Sequence, residues 1–412
     1  MTASQDPVTH QQCPACRATV PAALYCGRCG ALLTSNPGFW ERLLRPDAFA
    51  AAPRERMALP LVTSSLFPHL DQRSRNPFRL GLLLVVVSLV IFSMLRWLGP
   101  LVTVAGLGVP LLFVLYLWQS EVIKDMPGHV LVVATVIGTG LGVGWVVITG
   151  GLVARSYGIP MAAGFVLQHL LGVGLAISVG GALLMVLPAV VVRFLRPDTI
   201  SESLDGFVIG GLGALSFTGA ATLTRLAPQF TTGLIDNVHP SRLMLEAGLH
   251  GIAMPLTAAA AGGLIGMMLW FRPGQRADTY PKRIHRALVI FTGVVVALYT
   301  AIWVVDAARL PKFEQLLLHL GLTVLAVLAA RIGMQLALLH EAADPPSGGP
   351  ILCEHCERVV PDMPFCPSCG VASRASSRTS RRLRREAAPA SPTEPHDRAY
   401  DREVASDPDA SR

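Results

Sequence analysis

The chain has 412 residues, 52% of them apolar and 15% charged, with a formal net charge of +7 and a mean hydropathy of +0.50. A soluble chain of this size needs a charged surface to stay in solution. Here the apolar residues come in long blocks, which excludes an ordinary soluble enzyme and points to a membrane protein.

The N-terminal segment, 1–38, carries CPACRATVPAALYCGRCG: two Cys-x-x-Cys turns (Cys13 and Cys16, Cys26 and Cys29) separated by nine residues. Tyr25 precedes the third cysteine and Gly30 follows the fourth. Residues 39–79 are Arg- and Pro-rich, lack the apolar core of a signal peptide, and read as a basic juxtamembrane linker. The chain is expected to insert through its first long apolar run, from Leu80.

Eight membrane-spanning helices are predicted, at 80–95, 98–118, 130–153, 160–187 (or on to 195), 204–226, 243–270, 285–305 and 314–339, a count bounded by seven and nine. Each is near the ~20 apolar residues that cross a ~30 Å hydrocarbon core. Gly180, Gly181 and Pro188 are candidate breaks in the long fourth span. GTGLGVG (138–144), GFVIGGLGALSFTGA (206–220) and GGLIG (262–266) supply Gly-x-x-x-Gly faces, read as sites of close helix packing rather than the lining of a pathway.

Basic residues concentrate on one side. Arg42, Arg45, Arg54, Arg56, Arg73, Arg75 and Arg79 precede the first span. Arg193 and Arg196 follow the fourth, and Arg272, Arg276, Lys282, Arg283 and Arg286 lie between the sixth and seventh. Opposite loops carry only Arg96, Arg155, Arg225, Arg242, Arg309 and Lys312. The positive-inside bias places both termini in the cytoplasm, as an even span count requires.

After the last span, 341–371 repeats the cysteine module as CEHCERVVPDMPFCPSCG, with Cys353, Cys356, Cys366 and Cys369, and with Phe365 and Gly370 in the places of Tyr25 and Gly30. Residues 372–412, which include RRLRR at 381–385, have few apolar groups and are expected to be a disordered tail. Four thiolates from two such turns close a tetrahedral zinc site. The two modules are therefore expected to hold zinc at two structural sites, as two small cytoplasmic zinc ribbons. A reducing cytoplasm disfavours disulfides, and a redox Cys-x-x-Cys would need a βαβ domain that is not visible. His355, inside the second module, reads as a bystander.

Ionisable groups at membrane depth are functional candidates: His169, Glu246 with His250 one turn later, and Arg331. Arg225 and His319 lie nearer span ends. Packing or hydrogen bonding is the commoner role of a lone intramembrane histidine, and a hydrolytic zinc site needs three protein ligands and a water.

The segments LYLWQSEVIKDMPGHVLVVATVIGTGLGV, LDGFVIGGLGALSFTGAATL and SRLMLEAGLHGIAMPLTAAAAGGLIG, within about Leu111 to Phe271, resemble the PrsW-type intramembrane metalloprotease family, which cleaves membrane-anchored regulatory proteins. The resemblance implies an all-α multi-pass membrane helical bundle over 80–340 and a location in the plasma membrane of a prokaryote. It also implies a Glu pair, a Phe-x-x-x-Glu and a His as the chemical groups. Here Val191 and Val192 stand in place of the Glu pair. Phe217 is kept, but Ala221 replaces its Glu. His250 matches, and Met254 stands where an acid is expected one turn on. Val and Ala can neither ligate a metal nor act as a general base. The chain is therefore expected to be a catalytically silent pseudoenzyme, a binding, regulatory or scaffold protein of the membrane with a protein partner at its ribbons or within the bilayer. One alternative is an active protease with a displaced site at Glu246, His250 and His169. A second is a transporter or channel. Nucleic acid is not an expected partner: the arginines suit anionic lipid headgroups, and the modules lack interleaved stacking aromatics.

Overall fold

The computed structural model describes residues 10–34, 44–53, 55–70, 74–156, 165–195, 200, 202–230, 239–274, 281–307, 310–342 and 349–387. Arg42, Arg54, Arg73, Arg196, Arg276, Arg309 and the tail from 388 lie outside the described residues, as do the side chains of Arg155, His169, Lys282 and Arg283.

The long helices are α2 (Arg75–Met94), α3 (Leu98–Gln119), α5 (Gly128–Ser156), α6 (Phe165–Leu195), α7 (Ser203–Leu226), α8 (Pro240–Gly248) continued through a π turn (Leu249–Ala253) into α9 (Met254–Trp270), α10 (Pro281–Ala307) and α11 (Lys312–His340). They form eight stretches long and apolar enough to cross a membrane. Short helices α1 (Val62–Leu66) and α4 (Val122–Asp125) lie between them. Helix α6 runs unbroken through Gly180, Gly181 and Pro188. Pro188 packs against Gly213 of α7, which has no Cβ to obstruct it.

Helix α7 and the α8–α9 pair are the most buried spans, and α2 and α5 face outward, with Leu80, Leu83, Leu84, Val132 and Val136 exposed as a lipid-facing surface would be. Glycine permits this arrangement. A Cβ on Gly206, Gly210, Gly262 or Gly266 would stand 1.9–2.4 Å from a backbone carbonyl of the facing helix, so α7 and α9 touch backbone to backbone. Gly138 and Gly142 bring α5 equally close to the carbonyls of Gly213 and Phe217. The Gly-rich faces are packing surfaces, where van der Waals contact replaces the hydrophobic effect that lipid cannot supply.

Residues 44–53 and 55–70 depart from the expected linker. They form a plug held at one end of the bundle. Phe49, Ala50, Ala51, Leu66, Phe67 and Leu70 are buried, and Phe67 meets Phe78, Phe113 and Tyr116 at ring-centroid distances of 5.1–5.9 Å. Arg331, a candidate membrane-depth residue from sequence, is the plug's anchor. Its guanidinium is fully buried and pairs with Glu55 at 2.8 Å. It also donates to Ser64 Oγ (2.6 Å), Ser65 Oγ (3.2 Å), Met57 O (3.1 Å) and Arg56 O (3.2 Å), and it lies 3.7 Å from the Phe49 ring centroid. Arg75, the first residue of α2, holds the other Glu55 oxygen at 3.1 Å. The apolar clusters of this segment explain the departure: Ala48–Ala52 and Leu66–Phe67 gain from burial what a solvated linker forgoes.

The tail also departs from expectation, because α12 (Arg378–Glu386) is a docked helix. Its N-terminus is capped by Ser377, and Asp125 accepts from Thr379 N (2.7 Å) and Thr379 Oγ1 (2.6 Å). Its arginines, with Arg374 just before it, meet an acidic ring. The pairs are Arg374–Glu341 (3.0 Å), Arg378–Asp205 (2.9 Å), Arg381–Glu202, Arg384–Glu354 (3.3 Å) and Arg385–Asp362 (2.9 Å). These charges supply the docking that an apolar face would otherwise provide.

Two outcomes test this packing. Gly210→Ala and Gly262→Ala each force a Cβ against backbone, which costs about 1–3 kcal/mol, so the thermal midpoint of the detergent-solubilised protein is expected to fall by a few degrees. Gly140→Ala, where a Cβ meets nothing within 4 Å, is expected to leave it unchanged or raised. Arg331→Met is expected to destabilise the protein by about 3–5 kcal/mol by leaving a buried carboxylate short of a partner. Adding Glu55→Gln should recover part of that loss, which unfolding titrations of both single variants and the double variant would detect as non-additivity.

Candidate metal centres

Each terminal module is a small hairpin followed by a second turn. Strands β1 (His10–Gln12) and β2 (Thr19–Pro21) pair antiparallel in the first, and β3 (Pro350–Leu352) and β4 (Val359–Pro361) in the second. Each Cys-x-x-Cys is a tight knuckle. Arg17 N donates to Cys13 O (2.9 Å), Gly30 N to Cys26 O (2.7 Å), Glu357 N to Cys353 O (2.8 Å) and Gly370 N to Cys366 O (2.8 Å). The four residues that follow a knuckle (Arg17, Gly30, Glu357, Gly370) all have φ between +56° and +74°. Glycine adopts that conformation freely, and Arg17 and Glu357 do so at a cost of roughly 1 kcal/mol.

The knuckles bring four sulfurs together in each module, all within 4.8 Å of one another. Cys13 and Cys29 Sγ are 3.6 Å apart, and Cys16 and Cys26, Cys353 and Cys369, and Cys356 and Cys366 are each 3.8 Å apart. These are free thiols, far beyond the ~2.05 Å of a disulfide. Bonds of ~2.3 Å from one central ion to four tetrahedral sulfurs give edges of ~3.8 Å, so both quartets fit a metal ion. Sulfur contacts also oppose joint ionisation of the bare quartet. The Cys26 contact holds the Cys16 thiol far below its usual range, and the Cys16 contact drives Cys29 far above it. A cation removes that conflict.

The two modules are joined to each other. Tyr25 N donates to Pro367 O at 2.9 Å, and Phe365 N donates to Gly27 O at 3.0 Å. The residue before the third cysteine of each module thus bonds to the residue after the third cysteine of the other, a reciprocal pattern with two-fold character. On this axis sits Arg45, 5% exposed. Its guanidinium lies 5.6 Å from the Tyr25 ring centroid and 5.8 Å from that of Phe365. Its Nη2 donates to Gly370 O at 2.8 Å. A Cβ at Gly30 or Gly370 would strike Arg45 Nη1 or Nη2 at 1.9 or 3.0 Å. The aromatic and glycine shared by the two motifs are therefore the walls of one arginine site. Sequence reasoning noted the repeat but missed Arg45, counting it among the topology arginines.

The joined modules rest on the bundle. Gln335 of α11 donates to Leu44 O (2.9 Å) and Ala48 O (3.0 Å) and accepts from Ala50 N (2.7 Å). Ala372 N, after the second ribbon, donates to Ala50 O at 2.8 Å. The connections after the second and fourth spans (Asp125, Glu202) and the end of the eighth (Glu341) face the same assembly. Both described termini therefore lie at one end of the bundle.

Of the residues expected to form a membrane site, His169 has its side chain outside the described residues, and Glu246 and His250 belong to no metal-holding group among the described residues. Glu246 is one-third exposed and engaged by Arg242 (3.6 Å) and Lys312 (3.8 Å). His250 occupies the π turn, beside Gly251, which packs on Leu89 and Ala105. Gly106 next along packs on Leu223 and Gly219, which puts His250 and Ala221 in the half of the bundle away from the ribbons. Val191 and Val192 lie at the other end: Arg193 beside them donates to Leu269 O at 3.1 Å and covers the Trp270 ring. Nineteen residues of helix separate Leu269 from His250, about 28 Å at 1.5 Å per residue. The four positions do not line one pocket. His319, expected near an interface, is fully buried, and its carbonyl accepts from Thr323 Oγ1. Among the described residues, the two cysteine quartets are the groups able to hold a metal. Comparisons with protein families, characterised proteins and solved structures find no match to this chain.

Elemental analysis of the purified chain is expected to give about two metal equivalents, and none once both quartets are changed to serine. A third equivalent that survives those changes would point to a site in the bundle instead.

Proposed function

We propose that the chain is a non-catalytic membrane protein whose two zinc-loaded ribbons form one docking platform for a protein partner at the cytoplasmic face of a prokaryotic plasma membrane. The observation that carries this reading is the reciprocal pairing of the ribbons around Arg45, which makes a single rigid surface from the two ends of the chain. Four thiolates favour zinc over hard cations, and a closed tetrahedral shell leaves no position for a substrate. The sites are structural on this reading. The cytoplasmic side follows from the arginines that precede the first span and follow the fourth, against the sparse basic residues at the opposite end. A reducing compartment also suits eight free thiols.

The resemblance to PrsW-type proteases does not support this reading, because the positions it would align, Val191 and Val192 on one side and His250 on the other, lie at opposite ends of the bundle. Glu246, one turn before His250, pairs with Arg242 and Lys312. Crosslinking in native membranes, read by mass spectrometry, tests the proposal. His250→Ala is expected to retain the partner set of the wild type, and changing both cysteine quartets to serine is expected to deplete it at least about fivefold. Loss of cleavage of a membrane substrate in His250→Ala would overturn the reading in favour of a protease.

A further inference from the structure

Arg45 poses an electrostatic problem. It is buried, and among the described residues its Nε and Nη1 have no hydrogen-bond acceptor. An unpaired buried guanidinium is costly, and burial lowers its pKa to about 10, while nearby Tyr25, Cys29 and Cys369 act in the opposite sense. No carboxylate is paired with Arg45 among the described ion pairs, although Glu55, Glu202, Glu341, Glu354 and Asp362 on neighbouring elements are each matched to another arginine.

The cysteine quartets supply what is missing. A divalent ion with four thiolates leaves a net charge of about −2 on each centre. Two such anions in adjoining modules repel each other. The cation between them belongs equally to both, because the fourth cysteine of each module (Cys29, Cys369) is followed by the glycine that Arg45 touches. The aromatic faces of Tyr25 and Phe365 complete the cage with cation–π contacts.

We propose that Arg45 is the shared counter-ion of the two metal centres and that, because both ribbons must fold and pair to hold it between them, metal binding at one ribbon raises the affinity of the other despite the repulsion of the two centres. This inference rests on the reading of the ribbons as metal-loaded. The linkage is reciprocal. Loading the first quartet fixes Tyr25 and Gly27 to receive the second ribbon, and the paired ribbons fix Arg45 where both charges need it. Arg45 is a positioning residue that acts through charge. Its backbone carbonyl also accepts from Gln335 at 3.3 Å, which ties the coupled pair to α11.

The test uses the full chain in detergent, stripped of metal under reducing conditions and titrated with Co²⁺, then with Zn²⁺ in competition. Thiolate-to-cobalt absorption reports each quartet. The wild type is expected to take up about two equivalents with a Hill coefficient above 1. Cys353→Ser with Cys356→Ser should weaken the intact N-terminal quartet about tenfold. Arg45→Met should weaken both quartets by a similar factor and abolish the cooperativity, and Arg45→Lys, which keeps the charge, should restore most of it. Helical circular dichroism checks that each variant is folded. If the N-terminal quartet keeps its affinity within twofold when the second is removed, or if Arg45→Met and Arg45→Lys behave alike, the shared counter-ion is wrong. If the wild type binds no metal, the metal reading itself fails, a separate outcome.

Discussion

The pairing of residue 25 with 367 and of 27 with 365 is the closure on which the rest of the assembly depends. Two modules of this size have almost no apolar core, so their folding energy must come from metal and from each other. The eight intervening spans make that closure inexpensive, since both ends already emerge at the same end of the bundle. Loop-closure entropy grows only by about 0.6 kcal/mol for each doubling of a flexible loop, and the loop here is mostly folded helix. Arg45 then converts a contact into a specification. It fits only between two aromatics and two glycines, one of each from either module, so neither ribbon alone completes its site.

The same end of the molecule gathers the other buried ions. Arg331, Glu55 and Arg75 form one network, and α12 lays arginines against Glu202, Asp205, Glu354 and Asp362. Buried ion pairs contribute little net stability over apolar replacements, but breaking one is severe. Their effect is to define a unique arrangement. The plug and α12 are too polar to be positioned by hydrophobic burial alone, and each is located by arginines that reach fixed acids.

Much of this was legible in the sequence. The spans follow from apolar length, and observed helices match the expected ones within a few residues, because in lipid the backbone must satisfy itself internally. Cysteine spacing gave both quartets. The glycine faces read correctly as packing. Elements that owe their place to pairing across long separations were not legible. Arg45 resembles any other juxtamembrane arginine until Tyr25 and Phe365, 340 residues apart, are seen to flank it. Residues 44–70 looked like linker because their Arg and Pro masked Ala48–Ala52 and Leu66–Phe67. Helix α12 was read as tail because its partners are acids in four other segments rather than an apolar face of its own. Glu246 and His250 share a helix face in sequence, and the pairing of Glu246 with Arg242 and Lys312 was not legible there.

Helix length accounts for the level at which Arg331 anchors the plug. Helix α11 has 29 residues and α2 has 20, so at 1.5 Å per residue they measure about 43 and 30 Å. Only about 30 Å of that is hydrocarbon thickness. The excess of about 13 Å corresponds to nine residues, the separation of Arg331 from His340 at the end of α11. Arg331 shares Glu55 with Arg75, the first residue of α2, which sets it level with the start of the shorter helix. Helix α11 therefore runs about 13 Å past the start of α2 at this end. That projecting end of α11 carries the side chains that hold the plug, Arg331 on Ser64 and Met57 O and Gln335 on Ala50 N. A charge that is costly in apolar surroundings is met here by the plug, which supplies both its carboxylate and its hydroxyls.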